Sequence, residues 1–347
     1  MEKIKVIVAD DSALMRKFIS DMLNSDANIE VIKTAYNGKD LINKIQIEKP
    51  DVITLDIEMP IMGGIETLKE MKRMNSSIPT IVISSLSHRN TTLTMECLHY
   101  GAFDFIAKPS GGMTSEIMDI QKQLIEKVKV AASRKLNSHE HKPIESRSER
   151  KIIDNNIKIQ AVVIGASTGG PKALYKVITK FPQNMGVPIF VVQHMPVGFT
   201  KAFAERLNDN SSIHVKEAED NEVYENDVVY IAPGGCHMEI GNSGKITLNK
   251  EPPIWGVRPA VDKLFISASK VFGSHLVSAV LTGMGRDGAN GTKIIKDNGG
   301  ITLSESESTC VIYGMPKAAY ETGKVDIVAP IDNIANEIIR ITTGFRR

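Results

Sequence analysis

Cysteine is scarce in this chain: three in 347 residues, at Cys97, Cys236 and Cys310. The set is odd and scattered, without the short paired spacing of a zinc site or a disulfide framework, so these side chains read as small buried hydrophobes. A charge of one sign is lacking too. Lys and Arg number 42 against 41 Asp and Glu, a formal net charge of +1, which leaves no basic excess for nucleic acid. No basic recognition helix of a DNA-binding output domain stands out either. Long hydrophobic runs are missing: stretches such as Ile189-Phe190-Val191-Val192 are strand-sized, far from the roughly 18 apolar residues of a membrane span. The run Val6-Ile7-Val8-Ala9 ends in Asp10 and Asp11, where a signal peptide would stay apolar up to a small-residue cleavage site. A cytoplasmic protein without membrane insertion is expected.

What is present is the composition of core-forming domains, 42% hydrophobic and 24% charged, in a chain long enough for two of them at about 100–200 residues each. In the first half, short apolar strands (Val6–Ala9, Val52–Leu55, Thr80–Ile83, Phe103–Ile106) alternate with amphipathic stretches such as Ala13–Ile19 and Ile65–Met71. That alternation predicts a parallel sheet with helical crossovers. The pattern lapses over a polar stretch and resumes at Gln160, with strands at Ala161–Ile164, Ile189–Gln193, Val228–Ala232 and Leu276–Thr282. The reading is a domain over 1–124, a solvated linker over 125–156 and a second α/β domain over 157–347. His139 and His141 flank a glutamate in that linker and read as solvated side chains rather than metal ligands.

Asp10 and Asp11 end one strand, Asp56 ends another and Lys108 follows a third just before Pro109. All four should converge at the carboxyl edge of one sheet, where open α/β sheets bind ligands. Clustered carboxylates repel one another and favour a hard divalent cation such as Mg²⁺. Such a site suits phosphoryl transfer, with Asp56 as nucleophile and Lys108 offsetting charge. Together with Leu55-Asp56-Ile57-Glu58-Met59-Pro60, Ser84-Ser85 and Gly101-Ala102-Phe103-Asp104, these strings resemble the receiver domain of two-component response regulators. The resemblance covers about the first 120 residues. It implies a flavodoxin-like, five-stranded parallel sheet, Asp56 as phosphoacceptor and Mg²⁺ held by Asp10, Asp11, Asp56 and the Glu58 backbone carbonyl. It further implies Lys108 on the phosphoryl group, Ser84 as the hydroxyl switch and a histidine kinase as phosphodonor.

In the second half, an apolar strand runs into Gly165-Ala166-Ser167-Thr168-Gly169 and then a helical pattern. That sequence reads either as a presented serine nucleophile or as a phosphate- or dinucleotide-binding turn. A nucleophile needs a base and an acid to orient it. His194 follows the strand Ile189–Gln193, and Asp287 lies in the glycine-rich loop Gly283-Met284-Gly285-Arg286-Asp287-Gly288 after another strand, so both belong at the same sheet edge. Asp262 is the competing acid, at a position where capping a helix suffices. The Met284 N–H is placed to serve as an oxyanion donor. The order Ser167, His194, Asp287 differs from that of α/β-hydrolases, in which the acid precedes the histidine.

These strings, with Gln193-His194-Met195-Pro196 and Tyr230-Ile231-Ala232-Pro233-Gly234, resemble the catalytic domain of bacterial chemotaxis protein-glutamate methylesterases and glutamine deamidases. The resemblance extends over essentially the whole chain once the receiver half is included. It implies a doubly wound, mainly parallel α/β methylesterase domain that demethylates chemoreceptor glutamates and deamidates receptor glutamines without a cofactor for hydrolysis. The catalytic residues would be Ser167, His194 and Asp287, with Met284 as oxyanion donor and Thr168 shaping the site and orienting His194. The implied place of work is the cytoplasm, at membrane receptor arrays, under control of phosphorylation.

Overall fold

The computed structural model describes residues 2–108, 114–137 and 157–344. The chain divides into two compact units between His141 and Lys142. In the first, strands β1 (Ile4–Ala9), β2 (Ile29–Ala35), β3 (Val52–Asp56), β4 (Thr80–Ser84) and β5 (Asp104–Ala107) alternate with helices α1 (Ala13–Asn24), α2 (Gly38–Glu48), α3 (Gly64–Arg73), α4 (His88–His99) and α5 (Thr114–Asn137). The sheet order is β2-β1-β3-β4-β5, every pair parallel. Strands β3 and β4 are buried throughout, as a parallel sheet covered on both faces requires. The boundary expected at residue 125 falls inside α5, which continues to Asn137. Leu124, Val128, Ala131 and Ala132 are buried at helical spacing, Lys129 Nζ lies 2.5 Å from the Asp26 carboxylate and Lys127 Nζ 2.7 Å from that of Asp104. Alanines carried that helical face unnoticed in a stretch read as polar. Pro109, His139, His141 and the remainder of the expected linker lie outside the described residues.

The second unit runs β6 (Ala161–Ala166), α6 (Gly170–Ile178), β7 (Ile189–Gln193), α7 (Phe199–Asn210), β8 (His214–Glu217), β9 (Val228–Ile231), β10 (His237–Gly241), β11 (Lys245–Asn249), α8 (Val261–Phe272), β12 (Leu276–Val280), α9 (Ala289–Asp297), β13 (Ile301–Glu305), α10 (Met315–Glu321), β14 (Ile327–Ala329) and α11 (Ile331–Thr343). Seven strands form one parallel sheet in the order β14-β13-β12-β6-β7-β9-β8. The antiparallel hairpin β10-β11 stands apart from it and lies outside the expected alternation. Its apolar Met238, Ile240 and Ile246 join the core formed by α8 with β6, β7, β9 and β12. The order reverses direction of growth at β6, with β7 on one side and β12 on the other, the kind of switch point where open sheets form clefts.

Candidate active site

Strands β12, β6 and β7 are parallel neighbours, so the turns after them share one edge. Ala166 is in register with Gln193, and the ladder extends one step as the His194 N–H donates to the Ala166 carbonyl at 3.1 Å. Ser167 and His194 therefore leave adjacent strands together, at the roughly 5 Å spacing of a sheet. Asp287 arrives from the loop after β12, and its Oδ2 lies 2.8 Å from His194 Nε2. The ring and the carboxylate are 10% and 2% exposed, so this bond is sheltered from water. With Nε2 donating to the acid, Nδ1 is the ring nitrogen left to accept a proton. The Ser167 hydroxyl is half-buried and makes no hydrogen bond to the ring among the described residues, a usual condition before a substrate tightens such contacts.

The start of α8 fixes the acid. The Val261 and Asp262 N–H groups, at the start of α8, donate to Asp287 Oδ2 and Oδ1 at 2.6 and 2.8 Å, where the positive end of the helix dipole also favours a carboxylate. Asp262 reciprocates. Its Oδ1 accepts from the Gly288 and Gly291 N–H groups at 3.0 and 2.7 Å, so it caps α9 and not the helix that it opens, and Trp255 Nε1 donates to Oδ2 at 3.3 Å. Burial raises the Asp262 pKa. Neither oxygen is offered to His194, which removes Asp262 from contention as the orienting acid. Gly165 makes this closeness possible, because a Cβ there would sit 2.3 Å from Val261 Cγ1. The motif's first glycine thus admits α8 to the sheet edge.

The loop after β12 runs beside the serine: a Cβ on Gly283 would lie 2.8 Å from Ser167 Cβ. Its amides are consumed in order, Leu281 N–H by the Gly165 carbonyl at 2.8 Å, Thr282 N–H by Glu305 Oε2 at 2.8 Å and Gly283 N–H by the Ile312 carbonyl at 3.2 Å. Met284 N–H is the next, and it has no acceptor among the described residues. Thr168, expected to shape the site and orient His194, makes no hydrogen bond to that ring among the described residues; it is buried, and its carbonyl accepts from Thr282 Oγ1 at 3.1 Å.

Two neighbours escaped the sequence reading. Gln193 Nε2 donates to the Ser167 and His194 carbonyls at 2.9 and 3.0 Å, tying the two turns together. Buried Glu305 supports Thr282 as described. The available signal was position alone, since both are polar residues at the last position of a strand.

At the edge of the first sheet, one oxygen from each of Asp10, Asp11 and Asp56 falls within 4.8 Å of the others. Lys108 Nζ sits 2.9 Å from both Asp10 and Asp56. Burial pushes the Asp56 carboxyl up to about 6, against the opposing pull of Lys108. Burial works against the Lys108 ammonium, but the hydrogen bonds that it donates to Asp56 and Asp10 and their negative charge outweigh it and raise its pKa. Three hard carboxylates facing one ammonium leave an excess of negative charge that suits Mg²⁺. The Glu58 carboxylate accepts from Asn90 Nδ2 at 3.0 Å. Ser84 Oγ accepts from Thr94 Oγ1 at 2.8 Å and donates to the Asn90 carbonyl at 3.3 Å.

Residues 6–119 match the response regulator receiver domain, and residues 162–338 match the family described as CheB methylesterase. A protein-glutamate methylesterase/protein-glutamine glutaminase from Clostridium acetobutylicum is 66% identical over 100% of both chains. The chain belongs to the CheB methylesterase family. A CheB relative of the same name from Pyrococcus abyssi is 45% identical over 99% of this chain and 95% of its own. The crystal structure of the Thermotoga maritima CheB methylesterase catalytic domain superposes with a TM-score of 0.52 at 44% identity, covering 53% of this chain and all of that one. The expected pairing of a receiver with a methylesterase domain on parallel α/β sheets is therefore that of the CheB family. No helix among the described residues is long and apolar enough to cross a membrane.

Proposed function

We propose that this chain hydrolyses γ-methyl esters of protein glutamates, releasing methanol, and deamidates protein glutamines, releasing ammonia, on bacterial chemoreceptors. The observation that carries the reading is the 2.8 Å bond between His194 Nε2 and Asp287 Oδ2, formed at the edge where Ser167 emerges. Ser167 Oγ attacks the γ-carbonyl carbon and His194 Nδ1 takes its proton. Asp287 holds the tautomer and offsets the charge of the imidazolium. The Met284 N–H stabilises the tetrahedral oxyanion. Return of the proton from His194 expels methanol or ammonia, and water, activated by the same ring, frees the glutamate from Ser167. Beside the loop, a cavity of about 570 Å³ lined in part by Trp255, Arg286 and Lys293 gives room to residues flanking the target side chain.

Asp56 is the phosphoacceptor in this reading, supplied by a chemotaxis histidine kinase. Mg²⁺ would be held by Asp10, Asp11, Asp56 and the Glu58 backbone carbonyl, where it neutralises charge on the transferring phosphoryl. Lys108 contacts that group, and Ser84 leaves Thr94 to bond it. The receiver comprises the residues through α5 and the hydrolase those from 157 onward, working at receptor arrays. The deciding experiment is methanol release from methylated receptor membranes by the parent and by Ser167→Ala. The expected outcome is a folded variant with release reduced by about 10³-fold or more. Undiminished release, with saturable nucleotide binding to both proteins, would transfer Gly165–Gly170 to the phosphate-binding reading.

A further inference from the structure

The Thr282 peptide is the joint between the nucleophile turn and the oxyanion loop. Its carbonyl accepts from Ser167 N–H at 3.0 Å. Its hydroxyl donates to the Thr168 carbonyl at 3.1 Å and accepts from Ile312 N–H at 2.9 Å. Its N–H, pointing toward β13, finds no main-chain partner there, because the β12–β13 register ends at Val280 and Ser304. The Glu305 carboxylate takes its place, with Oε2 2.8 Å from Thr282 N. The other oxygen, Oε1, accepts from Thr309 Oγ1 at 2.9 Å, and Thr309 Oγ1 accepts in turn from Ile331 N–H at the start of α11 at 3.0 Å. Glu305 is only 1% exposed, a costly location for a carboxyl that merely filled space. Burial raises its pKa, and the Thr282 and Thr309 hydrogen bonds pull the other way.

We propose that Glu305 is a positioning residue for hydrolysis, anchoring the Thr282 peptide to β13 and α11 and so setting Ser167 and the Met284 N–H relative to each other. The role presupposes the hydrolase reading above. With Thr282 N–H anchored, Gly283 N–H continues to the Ile312 carbonyl and Met284 N–H is the first amide left for an oxyanion. Without the anchor, the loop can rotate its amides while the fold persists through the sheet on either side.

The test compares Glu305→Ala, Glu305→Gln and Thr309→Val with the parent in full-length protein. Three quantities are read: kcat and KM for methanol release from receptor membranes, the rate of Ser167 acylation by p-nitrophenyl acetate, and Tm. Misplacing an oxyanion donor costs about 10²–10³-fold in rate when the donor is lost outright. Glu305→Ala should therefore lower kcat and acylation by about 10²-fold with KM within about twofold, and Glu305→Gln, which keeps an oxygen for Thr282 N–H, should restore both to within a few-fold. If Glu305→Ala does not fold, Thr309→Val decides, with a fall of about five- to tenfold expected in both rates. A lowered Tm with unchanged kcat and acylation in the folded variants would reduce Glu305 to a structural role and overturn the proposal. A parent that is acylated by the small ester but releases no methanol would overturn the substrate reading instead, leaving the ester rates to decide the role of Glu305.

Discussion

His194 is held by its Nε2, an arrangement that makes the orienting acid specific to one tautomer. Asp287 accepts three bonds on two oxygens, from His194 Nε2 and from the Val261 and Asp262 amides. Asp287→Asn would keep the size of the side chain but bring an NH₂ group toward donors that need an acceptor. If the amide oxygen takes the place of Oδ1 and serves the Asp262 N–H, the NH₂ takes that of Oδ2, where it faces the ring as well as the Val261 N–H and forces the proton onto Nδ1, the nitrogen that accepts from Ser167 in the proposed mechanism. Methanol release should fall about 10³–10⁴-fold, while Tm changes little compared with Asp287→Ala. Retention of more than about a tenth of the parent rate would show that the ring keeps its tautomer without the carboxylate. The same reasoning separates Asp287 from Asp262, whose oxygens are spent on α9 and Trp255.

At the scale of elements, both sites were legible for a common reason. In a parallel sheet the carboxyl ends of consecutive strands share an edge, so Asp10, Asp56 and Lys108 in one unit, and Ser167, His194 and Asp287 in the other, could be brought together from strand positions alone. Which amide a buried acid meets is another matter. Glu305 ends β13 and Asp262 opens α8, and one reaches across to Thr282 while the other reaches Gly288 and Gly291. Those partners depend on the register of β12 against β13 and on how closely α8 approaches, which no local pattern encodes. The far end of α5 was missed because alanines at 131 and 132 bury little area and carry a weak periodic signal. Gly165 shows how closely one contact governs the site. Gly165→Ala would drive a methyl into Val261, and a small-to-large change in a packed core costs about 1–3 kcal/mol. Moving α8 away to relieve it would withdraw the Val261 and Asp262 amides from Asp287. Unfolding in denaturant should show that loss of stability, and kcat should fall with it; a variant destabilised with its kcat intact would place the helix contact outside catalysis.

Across the whole molecule, one unit carries a phosphoacceptor site and the other a hydrolase site, and control requires that the first change the free energy of the second. A hundredfold activation corresponds to a coupling of about 2.7 kcal/mol, within the usual allosteric range, so a few altered contacts suffice. On the function proposed above, the acidic cluster supplies the trigger. In the proposed reading Asp56, its carboxyl pushed up to about 6 by burial, attacks the phosphodonor, and Asp10 and Asp11 would help hold the cation that balances the incoming charge. Ser84, now bonded to Thr94 and Asn90, is the neighbouring hydroxyl able to follow that charge. Full-length protein given Mg²⁺ and acetyl phosphate should therefore release methanol from receptor membranes about 10–100-fold faster than without the phosphodonor. Chelating Mg²⁺ or replacing Asp56 with Asn should abolish the increment and leave the basal rate, because neither touches Ser167, His194 or Asp287. A phosphodonor response that persisted in Asp56→Asn would move the phosphoacceptor to another residue, and equal rates with and without phosphodonor in the parent would disconnect the two units.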